Sequence, residues 1–296
     1  MLAGMGVAVD ISRTVRTASR IVRLQRYPEN GTAAATMSPT ALDPAAKPIP
    51  LPADPGKARL ALRVGHWTRG AQGKQNEDFY GVALPDDGTQ AKGFVFALAD
   101  GISTSGLGRI AAEATVRSLL DDFYCTPAAW NTAHALEKLL CATNDWLAAQ
   151  NTRRPEVDGI VAAVSALVLQ NNRYFLAHVG DTRVYRLRGP VFKQLTMDHT
   201  WPRQDMRHVL KRAIGLDTHL VVDFADGELK SGDTFLLVSD GVWDVLGERR
   251  MKAMLEGEAD SHTAARTLVD TAQTHQAAYM GRNDASAIVV QVLSAE

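Results

Sequence analysis

Three apolar segments of this sequence each end in an aspartate, and this repeated pattern is the strongest constraint on the fold. Residues 94–99 lead into Asp100, residues 177–180 into Asp181 and residues 235–239 into Asp240. A carboxylate at the end of a buried strand loses its hydration at a large cost in free energy unless a cation or hydrogen-bond donors compensate. We therefore expect the fold to place these strand ends where their charges are balanced.

The order of strand-like and helix-like segments favours an α+β sandwich over a doubly wound parallel sheet. Segments rich in Val, Leu and aromatic residues predict strands at 94–99, 161–169, 174–187, 235–239 and 287–292. Apolar residues at helical spacing predict helices near 129–150, 248–256 and 262–279, and a short helix at 208–214. Strands that follow one another as hairpins pair in antiparallel sheets, which helices cover from outside.

The composition divides the chain near Lys57. Residues 1–56 combine a short basic amphipathic stretch, with arginines every three or four residues from Arg13 to Arg26, and a linker rich in Pro and Ala. We expect this part to be flexible, although it has the character of a membrane-surface contact, a partner-docking segment or a transit peptide as well. Residues 57–296 form the predicted catalytic domain.

Charge and cysteine content exclude several classes of protein. The formal net charge is −1, which gives no whole-chain attraction to nucleic acid. The two cysteines form no Cys-x-x-Cys pair, so neither a zinc site nor a disulfide framework is expected. No apolar stretch approaches the ~18 residues of a membrane span. We expect a cytoplasmic monomer without a transmembrane segment.

Further acidic residues lie near the two ends of the predicted domain, at Glu77-Asp78 and at Asn283-Asp284. If all these carboxylates converge, hard divalent ions such as Mg²⁺ or Mn²⁺ are the simplest means of neutralising them. Two such ions activate water at neutral pH and hold the oxygens of a phosphoryl group. The alternative is that each aspartate only caps a turn, for which Asp-Gly is a common pair.

Seven ordered motifs resemble those of the metal-dependent serine/threonine protein phosphatases of the 2C type, especially the bacterial members. The motifs are QNED at 75–78, ADG at 99–101, HVGDTR at 178–183, LTMDH at 195–199, KRAIG at 211–215, SDGVWD at 239–244 and NDAS at 283–286. The resemblance covers about residues 60–295. It implies a sandwich of two mainly antiparallel sheets with helices on both faces, an α-β-β-α architecture.

The resemblance also implies roles for individual residues. The catalytic residues would be Asp100, Asp240 and Glu77. Asp100 would bridge two Mn²⁺ or Mg²⁺ ions, the Gly101 carbonyl and Asp240 would each bind one of them, and Glu77, beside Asp78, would hold a metal-bound water. Asp181 would help to hold a third, weaker ion. The implied reaction is hydrolysis of phosphoserine and phosphothreonine monoesters on proteins, among them a cognate kinase, by a metal-bridged water.

Two positions depart from the family pattern. Gly73 stands where relatives carry an arginine that grips the substrate phosphate, and we expect Lys74 to supply a point charge instead. At the last motif, alignment on Ser286 places the neutral Asn283 at the ligand position, and we favour Asp284 as the ligand. These departures keep a second hypothesis open, a 2C-type binding or regulatory module with weakened catalysis. A metal-dependent nuclease would need a basic groove, which the net charge does not support.

Overall fold

The computed structural model describes residues 60–85, 88–102, 107–153, 159–202, 209–276 and 283–295. The predicted N-terminal stretch, residues 1–56, lies outside the described residues, so the division of the chain near Lys57 stays a prediction. The strands are β1 Leu60–Arg69, β2 Asp78–Ala83, β3 Phe94–Ile102, β4 Val161–Gln170, β5 Arg173–Val179, β6 Arg183–Arg188, β7 Val191–Gln194, β8 Asp223–Glu228, β9 Thr234–Val238 and β10 Ala285–Ala295. The α-helices are α1 Gly108–Asp122, α2 Thr132–Arg153, α3 Asp240–Gly257 and α4 Ser261–Gln276.

The strands form two five-stranded sheets with antiparallel neighbours. One sheet has the order β1-β10-β9-β6-β7 and the other has the order β2-β3-β4-β5-β8. Apolar side chains fill three spaces: between α1, α2 and the second sheet, between the two sheets, and between the first sheet and α3 and α4. The predicted α-β-β-α sandwich is therefore confirmed. No helix among the described residues is both long enough and apolar enough to cross a bilayer.

Strand β3 shows why its sequence is apolar without alternation. Phe96 and Leu98 point into the space between the two sheets, whereas Val95 and Ala97 point towards the helices. All four are fully buried. A strand with apolar layers on both faces needs apolar residues at consecutive positions, as in the run that leads to Asp100.

The short helix predicted at 208–214 is wrong for the part that the structure describes, residues 209–214. Ile214 instead exchanges two backbone hydrogen bonds with Ala162 at the start of β4, and Leu210 forms a bridge with Thr200. Gly215 follows with a φ of +85°, in the left-handed region that favours glycine. Long-range pairing outweighs local helix preference here.

The sheet register brings the acidic strand ends to one edge of the sandwich. Asp78 begins β2 directly opposite Asp100 in β3. In the other sheet, β9 ends just before Asp240 and pairs with the start of β10, which follows Asp284. The end of β5 lies at the same edge and leads to Asp181.

Candidate metal centre

Five aspartates from the two sheets and their connections meet at this edge, and we call them the acid cluster: Asp78, Asp100, Asp181, Asp240 and Asp284. Asp78 is fully buried and Asp181 is 7% exposed. The other three line, together with Asp181, a cavity of about 1340 Å³ that we call the catalytic cavity. The structure thus brings together residues that lie more than 200 positions apart in the sequence.

The electrostatics of the cluster disfavour ionised carboxylates. Burial, and secondly the neighbouring charge of Asp284, raise the pKa of Asp78 to about 7. Burial likewise raises the pKa of Asp181 to about 6. The pKa values of Asp100 and Asp240 lie well above the ordinary value because both groups are buried among other aspartates. Without cations, the cluster therefore retains protons near neutral pH.

In the part of the chain that the structure describes, two buried carboxylate oxygens of the cluster have no hydrogen-bond donor. They are Oδ1 of Asp78 and Oδ1 of Asp181, both buried. A buried acceptor without a donor is costly, and a divalent cation would satisfy it. Among the described residues, however, no group of three or more His, Cys, Asp or Glu side chains is arranged so that it could hold a metal ion. The oxygen donors of the cluster therefore suit hard divalent ions in kind, although the described side chains do not form a complete metal site in this arrangement.

Ser239 connects the two sheets at the cluster. Its hydroxyl donates to Oδ2 of Asp78 across 2.7 Å and accepts from the backbone N–H of Ser286 across 3.0 Å. Ser239 is fully buried, so the hydroxyl fixes one face of the Asp78 carboxylate. Ser239 belongs to the SDGVWD motif that contains Asp240, and its role was not predicted from the sequence. The sequence does contain a feature that could have identified Ser239: it is a polar residue at the end of an apolar strand, next to the predicted ligand Asp240.

Glu77 is held at the beginning of α1. Its Oε1 accepts a hydrogen bond of 2.8 Å from the backbone N–H of Gly108, where the unpaired N–H groups of a helix favour a carboxylate. Gly101 packs against the same turn: a Cβ atom added there would lie 2.2 Å from the carbonyl of Gly108. Only glycine allows the backbone of β3 to come so close to Gly108, and this contact keeps the end of β3 near Glu77.

The structure separates the roles of Asn283 and Asp284. Asp284 accepts from the backbone N–H of Ala71 across 2.7 Å and from that of Glu77 across 2.6 Å, so that it holds the loop before β2. Asn283 instead donates from Nδ2 to Oδ2 of Asp240 across 2.8 Å. Asn283 thus contacts Asp240 directly, whereas two backbone N–H groups occupy the Asp284 carboxylate, and the choice of Asp284 as a metal ligand stays a prediction.

Lys74 is exposed and lines the catalytic cavity. It follows Gly73, whose φ of +83° turns the loop and whose missing side chain would meet no atom within 4 Å. The Cβ atom of an arginine would therefore meet open space at position 73, although the positive φ would strain the backbone. The predicted contact of Lys74 with the substrate phosphate has the required access and stays a prediction.

Two other residues of the predicted motifs act within the framework. Arg183 forms a bidentate ion pair with Asp198, with its closest contact at 2.6 Å, and lies over the ring of Trp243. His199 holds Gly180, since its backbone N–H donates to the Gly180 carbonyl and its Nδ1 accepts from the Gly180 N–H. Nδ1 is thus an acceptor, and Nε2 donates to Asp223. The two hydrogen bonds between His199 and Gly180 fix the backbone that precedes Asp181.

Comparisons with known proteins agree with this geometry. The family model described as protein phosphatase 2C matches residues 69–283. A serine/threonine phosphatase stp of Listeria monocytogenes is 27% identical over 242 residues, which are 75% of this chain and 92% of that protein.

Two solved structures extend the likeness to three dimensions. The catalytic domain of the serine/threonine protein phosphatase PstP, in complex with two manganese ions, has a TM-score of 0.66 and 25% identity, and the match covers 80% of this chain and 100% of that one. PppA of Pseudomonas aeruginosa, a regulatory component of the T6SS, has a TM-score of 0.64 and 25% identity over 78% of this chain and 97% of that one.

Proposed function

Because the chain belongs to the protein phosphatase 2C family, we propose that its acid cluster binds two Mn²⁺ or Mg²⁺ ions for the hydrolysis of phosphoserine and phosphothreonine monoesters in proteins. The observation that carries this proposal is the convergence of Asp78, Asp100, Asp181 and Asp240 at one edge of the sandwich, with raised pKa values. Perturbed carboxylates in a cleft are the usual mark of a functional site.

The predicted protein phosphatase activity is confirmed by the family match and by relatives named as serine/threonine phosphatases. Phosphorylated proteins are accordingly its substrates. The alternative of a binding or regulatory module is not favoured. A cognate serine/threonine kinase among the substrates, a monomeric state and a cytoplasmic location remain our expectations.

We assign the metal ligands on charge and position. Asp100 would bridge both ions because it lies among four other carboxylates, and Asp240 and the Gly101 carbonyl would each bind one. Asp181, which lies close enough to act on the charge of Asp240, would bind a third, weaker ion. When bound, the ions would lower the pKa of coordinated water into the neutral range and neutralise the phosphoryl oxygens.

The residues of the chain itself orient this site. The Gly108 N–H holds the Glu77 carboxylate, and the Ser239 hydroxyl holds that of Asp78, so both are fixed before substrate binds. Lys74 at the rim of the cavity would attract the substrate phosphate as a point charge. Positioning of this kind is the main contribution that a protein makes to phosphoryl transfer.

The test is hydrolysis of p-nitrophenyl phosphate and of a phosphothreonine peptide, with and without millimolar Mn²⁺. Asp100→Asn should lower kcat/KM by about 10²-fold or more, because it weakens both metal sites together. Asp217→Asn, an exposed residue outside the cavity, is the matched control.

Near-full turnover by the Asp100→Asn variant would refute the bridging role. Absence of any phosphomonoester turnover by the unaltered protein in Mn²⁺ would favour the binding module instead.

A further inference from the structure

The catalytic cavity is lined by apolar side chains and by a cationic one in addition to the acid cluster. Three of the apolar side chains are partly exposed: Ile102 is 38%, Val209 is 45% and Leu216 is 44% accessible. The same cavity is lined by Arg250 of α3 and by His275 of α4. A polypeptide bound at the metal centre would therefore have both apolar side chains and an arginine within the same cavity.

Arg250 occupies a special place on α3. The helix begins with the ligand candidate Asp240 and changes direction at Gly247, where φ is +67°. Arg250 follows this kink, is exposed and lines the cavity, and it has no ion pair with any described residue. Its neighbour Arg249 is exposed too but does not line the cavity.

The distance along α3 decides what Arg250 can reach. In an unbroken helix the ten positions from Asp240 to Arg250 would span about 15 Å, and the long arginine side chain can cover part of this distance within the cavity that it lines. An extended polypeptide advances about 3.3–3.6 Å per residue. The guanidinium group thus lies beside side chains about two to four residues from the phosphorylated residue rather than beside the phosphate.

We propose that Arg250 recognises an acidic side chain of the substrate about two to four residues from the phosphoserine or phosphothreonine. This inference rests on the proposed function. A guanidinium group binds a carboxylate through two parallel hydrogen bonds and is always charged. The acid cluster and Asp244 give this cavity a largely negative lining, to which Lys74 and Arg250 add positive charge; because Lys74 is assigned to the phosphate, Arg250 is left to make an acidic side chain acceptable there.

The test uses phosphothreonine peptides that differ only in Glu or Gln at positions two to four on either side, assayed with Mn²⁺ at low ionic strength. For the best position, the unaltered protein should prefer the Glu peptide in kcat/KM by about three- to tenfold, through KM. Arg250→Ala should bring this ratio near one, Arg250→Lys should restore part of it, and Arg250→Glu should invert it. Arg249→Ala, a loss of the same charge one position away, should retain the full ratio.

The outcomes separate this inference from the proposed function. If the unaltered protein hydrolyses p-nitrophenyl phosphate but shows no preference for Glu, the role of Arg250 is refuted and the phosphatase function stands. An equal loss of the Glu preference in the Arg249→Ala and Arg250→Ala variants also refutes it. The preference would then come from the overall positive charge of this surface and not from a specific contact with Arg250. Failure to hydrolyse any phosphomonoester overturns both.

Discussion

Removal of divalent ions should make the fold less stable as the pH rises above neutrality. Asp78 has a pKa of about 7 in the folded chain and an ordinary value of 3.8 when unfolded, so the folded state binds the extra proton between these values. Stability falls with pH wherever the folded state holds more protons than the unfolded state. The stability that protonated Asp78 contributes is fully present below its unfolded pKa of 3.8. It is lost as the pH rises through its folded pKa of about 7.

A second buried group, His178, has the opposite effect on the pH dependence of stability, and it sets the lower limit of the pH window. Burial lowers the pKa of His178 from 6.5 to about 4, so this residue adds stability as the pH rises through that range. At pH 6.5 about half of the unfolded His178 still carries its proton, so above this pH the residue adds a further ~0.4 kcal/mol against the larger loss from the acids. From about pH 6.5 to 8.5, Asp78 alone should cost about 1 kcal/mol, and Asp100 and Asp240 add to this loss.

The assay is urea unfolding in EDTA and in millimolar Mn²⁺ across this window. In EDTA the free energy of unfolding should decrease with pH, whereas in Mn²⁺ the decrease should vanish or reverse because metal binding replaces the protons. Asp78→Asn should reduce the slope in EDTA, and the surface variant Asp217→Asn should keep it. A stability in EDTA that is constant or rises from pH 6.5 to 8.5 would show that the carboxylates are not mutually destabilising.

Three substitutions test the rest of the site. Asn283→Asp should lower the Mn²⁺ concentration for half-maximal activity about tenfold, since a charged oxygen replaces a neutral one; an unchanged requirement would place this side chain outside the metal shell. Gly73→Arg should lower KM for p-nitrophenyl phosphate several-fold, at a cost of about 1 kcal/mol for the positive φ, unless another cation already binds the phosphate. Gly101→Ala should destabilise the fold by about 2 kcal/mol or more and reduce activity, because its Cβ would strike Gly108; Gly257→Ala, with open space, is its control, and equal effects would contradict the packing argument.

The sequence was most informative where local chemistry alone decides the structure. An apolar run that ends in an aspartate predicts a buried strand with a costly charge at its end, and Asp100 and Asp240 lie at such ends. Long-range contacts were beyond this reasoning. The pairing of Asp78 with Asp100, the hydroxyl of Ser239 between the sheets and the orientation of Asp284 all depend on segments that meet only in the folded chain.

The same limit explains the incorrect helix at 208–214 and the residues that were missed. Local spacing favours a helix there, but hydrogen bonds from Ile214 to Ala162, more than 50 positions earlier, outweigh it. Arg250 likewise carries no signal in its own segment, because an exposed arginine on a helix is ordinary. Only the shape of the catalytic cavity distinguishes it from Arg249.

The position of Asn283 connects stability with metal affinity. An aspartate at this position would add one more negative charge beside Asp240, whose pKa is already raised by burial and by neighbouring acids. The metal-free fold would then lose stability, while the metal-bound site would gain a charged ligand. The neutral amide donates a hydrogen bond to Asp240 instead, which stabilises the cluster before metal binds. Asn283→Asp should therefore bind Mn²⁺ more tightly and unfold more easily in EDTA. A variant with both higher Mn²⁺ affinity and higher stability in EDTA would contradict this connection.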